Sequence, residues 1–499
     1  MEKDLERLHA LLAEIADLER AAALLEWDQQ VNMPAGGAEA RGFEMGTLGR
    51  IAHDRSTSAE LGRLLETLRR GLPSLDPDSD SARLIGVASR DYEKAVRVPS
   101  AFVEERARVT TMAYQAWHEA RGASRFGLFQ PHLERIVELL RRYVGFFPPA
   151  DHPYDVLLDG FEPGMKTAEV KAIFDTLRPK QVALIRSIAA AGQVDDSFLR
   201  QPFDEEVQWA FGVEVITKFG YDWTRGRQDK SPHPFTQSFG AGDVRITTRV
   251  DPAFLATALF GTMHECGHAL YAQGHAPPLE RTPLCDGASL GVHESQSRMW
   301  ENLVGRSRAF WHAFYPRLQE MFPQIRAVPL ERFYRGINRV QPSLIRVEAD
   351  EATYNLHIML RMEIEIGLVE GTLAVKDLPG RWNAGMTEYL GLTPPDDARG
   401  VLQDVHWSTG GLGYFPTYAL GNLISAQLWE RIQRDLPDVE RQVGEARFDQ
   451  LLSWLREHIH RHGRKFRPQE LVRKVTGTGI DAGPYVRYLK RKYGEIYGL

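Results

Sequence analysis

Helical periodicity dominates this chain, and the near absence of strand-like alternation limits what it can fold into. Apolar residues recur at three- and four-residue spacing through residues 98–147, 168–192, 296–322, 349–372, 422–436 and 446–462, as in helices that bury one face. The N-terminal segment shows the same pattern, with Leu5, Leu8, Leu11, Leu12, Ile15 and Leu18 separated by charges. Those charges are of both signs, whereas a membrane-surface helix carries a basic polar face. The stripe is therefore expected to meet a core or a partner. Alternation is clear once, with Val244, Ile246, Thr248 and Val250 on one face and Arg245, Thr247 and Arg249 on the other. Turn-rich stretches lie near residues 73–80, 146–154, 227–242, 275–288, 392–400 and 408–416, and none reads as a long flexible linker. The expectation is a mostly α fold over residues 1–499, one catalytic body or two lobes around a cleft, with a small β element.

Composition narrows the function classes. Hydrophobic residues make up 43% and charged residues 26%, the balance of a globular protein with a large core. A net charge of −6, with 61 dispersed basic residues, argues against nucleic acid as a partner. Cys266 and Cys285 are the only cysteines. They exclude a disulfide scaffold and a cysteine-built zinc site, and they suit a reducing compartment. The N-terminus is acidic and polar where a signal peptide is basic and then apolar, and no run reaches the ~18 apolar residues of a membrane span. A soluble cytoplasmic protein with no membrane partner is expected.

The main chemical signal is Phe260-Gly-Thr-Met-His264-Glu265-Cys-Gly-His268-Ala-Leu-Tyr271. Residues four apart on a helix are rotated by about 40° and lie one turn apart, so His264 and His268 project from one face. Two imidazoles so placed can hold one divalent ion, and Glu265, directed differently, can act on water as a general base. The flanking Ala256, Leu259, Phe260, Met263 and Leu270 predict a buried helix, in which bare histidines would be costly without partners. Cys266 leaves the histidine face and reads as packing. A hydrolytic site of this kind needs a third ligand and an open position. Glu294, in Gly-Val-His293-Glu294-Ser-Gln-Ser-Arg298-Met-Trp-Glu301, is the preferred candidate because it opens a second helix; His293 is the alternative. Two histidines and a glutamate suit Zn²⁺, and also Co²⁺ or Mn²⁺, one ion per subunit.

With these motifs the chain resembles the carboxypeptidase Taq family of metallocarboxypeptidases. The likeness extends to His233-Pro-Phe235, Asp243-Val-Arg245-Ile-Thr247, Ile345-Arg346-Val-Glu-Ala-Asp350, Gly400-Val-Leu-Gln403-Asp404-Val-His406-Trp407 and Tyr414-Phe-Pro-Thr-Tyr418. It includes Trp27-Asp-Gln, Met33-Pro-Ala-Gly-Gly and Tyr488-Leu-Lys-Arg-Lys-Tyr493 as well, so it covers nearly the whole chain. The resemblance implies a helical fold with a deep substrate groove, a homodimer, and release of single residues from peptide C-termini. Broad side-chain tolerance and poor cleavage next to proline are implied too.

Roles follow from chemistry set beside that resemblance. A free carboxylate is read by the planar fork of arginine; Arg346 is the first choice and Arg245 the second, with ion pairing to a nearby acid as the bland reading of each. The strand-like stretch bearing Arg245 could pair with the substrate backbone as an added edge. His406 and Tyr414 are the preferred donors to the developing oxyanion, with Tyr418 as a further donor or a packing residue, and His233 either reaches the substrate backbone or site wall or caps a turn. Asp404 and Asp350 fit the orientation of a ligand histidine or an arginine. The rival readings are a metallo-endopeptidase or dipeptidase on the same metal site, and a non-enzymatic helical scaffold.

Overall fold

Most of the apolar periodicity becomes helix. In a computed structural model describing residues 1–499, the stretch 98–147 forms two helices, Ser100–Ala123 and Phe126–Val144, broken where Ser124 turns left-handed at φ 50°. Residues 168–192 become Thr167–Ala190, 349–372 become Tyr354–Glu370, and 422–436 fall within Pro416–Asp435. Residues 446–462 become Asp449–His458 followed by a 3₁₀ turn. The stretch 296–322 is not one helix. It divides into Leu290–Arg298, a π-helical Met299–Val304 and Arg308–Met321. Further helices, among them Ala38–Ser56, Ala59–Gly71, Glu205–Phe219 and Gly483–Tyr497, lie outside the stretches singled out by periodicity.

The turn-rich region 227–242 holds two short strands, β1 (Gln228–Lys230) and β2 (Thr236–Ser238), which flank β3 (Val244–Thr248). β3 runs parallel to β1, pairing Ile246 with Gln228, and antiparallel to β2, pairing Arg245 with Gln237. Both its edges are thus occupied, which corrects the idea that this stretch could accept a substrate backbone as a new neighbour. The face of β3 that bears Arg245 is also partly buried. Thr247 is fully buried, sharing a 2.6 Å hydroxyl hydrogen bond with Ser231 and accepting from the Phe235 N–H at 2.9 Å. The sheet packs on the helix Leu255–Gln273, to which it is tied by the Thr262 hydroxyl donating to Thr248 Oγ1 at 3.0 Å.

The chain divides into two compact units, one of residues 1–96, 195–337 and 428–477, the other of residues 97–194, 338–427 and 478–499. In the first, Leu8, Leu12 and Ile15 of the N-terminal helix pack with Leu61, Leu65, Leu68, Leu84 and Ile85, so that stripe meets a core. Phe219, Trp300, Phe310 and Phe448 gather in the same unit, with Phe219 and Trp300 centroids 4.5 Å apart. The second unit is centred on Tyr354–Glu370, where buried Glu365 accepts from the Tyr154 hydroxyl at 2.6 Å, Trp407 Nε1 at 2.8 Å and the Gly413 N–H at 3.0 Å. No helix is long and apolar enough to cross a membrane.

Candidate active site

The histidine pair lies on Leu255–Gln273, a helix buried on nearly every face. His264 and His268 lie one turn apart, their rings edge to face with centroids 4.9 Å apart. The carboxylate comes from Leu290–Arg298, begun by Ser289, whose hydroxyl accepts from the Val292 N–H at 3.0 Å. Glu294 Oε2 lies 3.6 Å from His264 Nε2 and 3.4 Å from His268 Nε2. Gly267 lets these helices approach: a Cβ there would lie 2.6 Å from the Gln296 carbonyl oxygen and from Ser297 Cα. Three ligand atoms, from His264, His268 and Glu294, lie within 4.8 Å of one another. Two imidazole nitrogens and one carboxylate oxygen fit a divalent cation of the zinc type. Burial alone would raise the Glu294 carboxyl; Arg298 and the two histidines outweigh it and hold the group well below the carboxylate range. Glu294 is thus an anion facing two Nε2 atoms, as a ligand must be.

Around these atoms lie supporting contacts that the sequence reading did not assign. His264 Nδ1–H donates to Glu301 Oε2 at 2.9 Å, which orients the ring with Nε2 towards Glu294. Burial pushes the Glu301 carboxyl up, but Arg298 and His264 bring it down to about 2. His268 Nδ1 lies 2.6 Å from His293 Nδ1. Burial, then the neighbouring His268, holds His293 far below the ordinary imidazole range. A neutral His293 can accept a hydrogen bond at Nδ1 from the His268 Nδ1–H, which turns His268 Nε2 towards Glu294. Glu265, 7% exposed, accepts at Oε2 from the Thr236 hydroxyl at 2.6 Å. Thr236 directly follows His233-Pro-Phe235 in sequence, the one clue to it. His233 itself is exposed, with its carbonyl accepting from the Ser231 hydroxyl at 2.6 Å.

The two candidate arginines differ in what surrounds them. Arg245 spends its fork on Asp243, at 2.9 and 2.8 Å, and lies between the rings of Trp27 and Phe239. Arg346, in the second unit, is 5% exposed and sits on a single 3₁₀ turn, Arg346–Glu348, ahead of the buried helix Tyr354–Glu370. Its Nε–H donates to Asp404 Oδ1 at 2.9 Å and Nη1–H to the Tyr354 hydroxyl at 2.7 Å. Asp404 also accepts from fully buried Arg361 at 2.7 Å. One aspartate therefore faces two guanidinium groups. Asp350 orients neither ligand nor arginine. It caps its own loop, accepting from the backbone of Gln341, Ala352 and Thr353.

His406, Tyr414 and Tyr418 gather beside Arg346, whose guanidinium lies 4.9 Å from the Tyr418 ring centroid. His406 Nε2 is 3.2 Å from the Tyr418 hydroxyl, and its buried Nδ1 has no partner. Burial, with the two arginines acting against Asp404, lowers the ring to about 4 and keeps it neutral. The structure thus brings His264, Glu265, His268 and Glu294 together in the first unit. It gathers Arg346, His406, Tyr414 and Tyr418 in the second, and leaves Arg245 and His233 in neither cluster.

A family model described as carboxypeptidase Taq (M32) metallopeptidase matches residues 7–493. Thermostable carboxypeptidase 1 of Thermus thermophilus is 42% identical over 495 residues, 97% of each chain. Carboxypeptidase 1 of Bacillus subtilis is 39% identical over 491 residues, 98% of each. Among solved structures, the M32 carboxypeptidase of Deinococcus radiodurans superposes with a TM-score of 0.96 at 43% identity, covering 100% of both chains.

Proposed function

The chain belongs to the carboxypeptidase Taq family of metallopeptidases and is a metal-dependent peptide hydrolase, and from that premise we propose how its own residues divide the work. His264, His268 and Glu294 hold one divalent ion, zinc by the chemistry of the donor set. When bound, that ion supplies Lewis acidity, polarising the scissile carbonyl and making water a stronger acid. Glu265 takes the proton from the attacking water and delivers it to the leaving amine. Thr236 pins Glu265 Oε2, which leaves Oε1 to face the water. Arg346 binds the terminal carboxylate; two arginines facing one aspartate leave an excess positive charge that such an anion neutralises. His406 donates to the developing oxyanion, with Tyr414 beside it.

Broad tolerance of the released side chain and poor cleavage beside proline complete the reading, supported by the family motifs spread along the chain. Proline lacks the N–H and fixes φ, which misplaces the last peptide bond. A homodimer working in the cytoplasm belongs to the same reading. The observation that carries the reading is Glu294 Oε2 lying against both histidine Nε2 atoms beside Glu265. Glu265→Gln is expected to retain the metal while turnover falls by about 10²–10⁴. A metal-loaded variant that keeps substantial activity would overturn the general-base role. Paired peptides ending in a free acid or an amide separate the reading from an endopeptidase, which would cleave both equally.

A further inference from the structure

A half-buried arginine, Arg298, lies against the ligand atoms beside buried Glu301. Arg298 Nε–H donates to Glu294 Oε1 at 2.7 Å and its Nη1–H to Glu301 Oε2 at 3.1 Å. Glu301 Oε2 also receives the His264 Nδ1–H at 2.9 Å. One guanidinium therefore joins the third ligand to the group that orients the first. The two oxygens of Glu294 become unequal: Oε1 is taken by the Arg298 cation, while Oε2, which accepts a longer 3.2 Å hydrogen bond from the Ser297 hydroxyl, faces the histidine Nε2 atoms at 3.6 and 3.4 Å. Positions 294, 298 and 301 share a helix face, and the widened π turns begin at Met299, directly after Arg298. Such turns are uncommon and concentrate at functional sites.

We propose that Arg298 and Glu301 are positioning residues that keep Glu294 a one-oxygen ligand and His264 an Nε2 ligand. A second carboxylate oxygen on the ion would fill the position that a hydrolytic site keeps open. The inference rests on the ligand reading given above. A purely structural ion pair would need only positive charge at position 298. Holding Glu294 Oε1 and Glu301 Oε2 at once needs the planar fork, which lysine lacks.

The test loads metal-free protein with Co²⁺, whose visible absorption is intense in four-coordinate sites and weak in higher coordination. Wild type should give the intense band. Arg298→Met should weaken the band and raise the Co²⁺ Kd about 10–100-fold. Arg298→Lys should restore part of the affinity but not the band, because charge returns without the fork. Glu301→Gln, which keeps an acceptor for His264, should retain the band with a smaller rise in Kd. If the Met variant fails to fold, the Lys and Gln variants decide. Wild-type spectra and affinity in the Arg298 variants that fold would overturn the clamp alone. Wild type binding Co²⁺ no better than His264→Ala would remove the ligand reading and the clamp with it.

Discussion

Arg346 and Arg245 offer the same guanidinium in unlike surroundings, and the difference decides what each can do. Arg245 is matched one to one by Asp243 and covered by two aromatic rings, so a substrate carboxylate would have to displace an existing partner. Arg346 shares its only aspartate with Arg361, so an incoming carboxylate corrects an imbalance. Arg346→Met is therefore expected to lower kcat/KM on free-acid peptides by roughly 10²-fold, chiefly through KM, the scale of one lost charged hydrogen bond. Arg245→Met should change KM only a few-fold. Steady-state kinetics of the two variants on one substrate decides the matter, and the reverse order would exchange their roles. At this scale the sequence was legible where the fold adds nothing: helix geometry alone places His264 and His268 on one face. It was silent on Thr236, His293 and Glu301 as supports, because the partner of an imidazole Nδ1 or a carboxylate oxygen is set by packing between elements.

The next scale is the contact between the helix Leu255–Gln273 and the helix Leu290–Arg298, and it hangs on one residue. A Cβ at Gly267 would lie 2.6 Å from the Gln296 carbonyl oxygen and Ser297 Cα, which are backbone atoms that cannot rotate away. At Gly261, six residues earlier on the same helix, nothing lies within 4 Å of an added Cβ. Gly267→Ala should thus cost about 2–3 kcal/mol by overpacking and weaken metal binding by parting the ligands. Gly261→Ala should be neutral or stabilise by up to about 1 kcal/mol, since alanine is the better helix former. Thermal unfolding of the metal-free variants measures both, and equal effects would show that Gly267 is not the contact point. Long amphipathic runs announced their helices, yet the joins were hidden. The break at Ser124 lies inside one apolar-periodic stretch, and the π turns Met299–Val304 keep enough periodicity to read as α-helix. β1 and β2 have three residues each, too few to show a period of two.

At the scale of the molecule, each unit is assembled from three separate segments. The crossing at residues 96–97 falls inside the helix Asp80–Arg97 and that at 427–428 inside Pro416–Asp435, so no glycine- or proline-rich linker could mark it in the sequence. Separate cores should also answer differently to pH. Glu365 lies fully buried in the second unit, and burial pushes its carboxyl up to about 7 against the hydrogen bonds from Tyr154, Gly413 and Trp407. A carboxyl whose folded pKa is raised contributes stability that is complete below its unfolded value, about 4.5, and is lost as pH rises through about 7. At 1.36 kcal/mol per unit the loss amounts to about 3 kcal/mol. Glu365→Gln removes the titration. Its amide nitrogen would face one of three hydrogen-bond donors, so the variant should be less stable than wild type at every pH. The gap between the two proteins should nevertheless be widest near pH 4.5 and shrink by about 3 kcal/mol towards pH 7.5. Denaturant unfolding of metal-free protein across that range reads the gap directly, and a constant gap would mean that Glu365 is ionised throughout, its charge carried by the three donors.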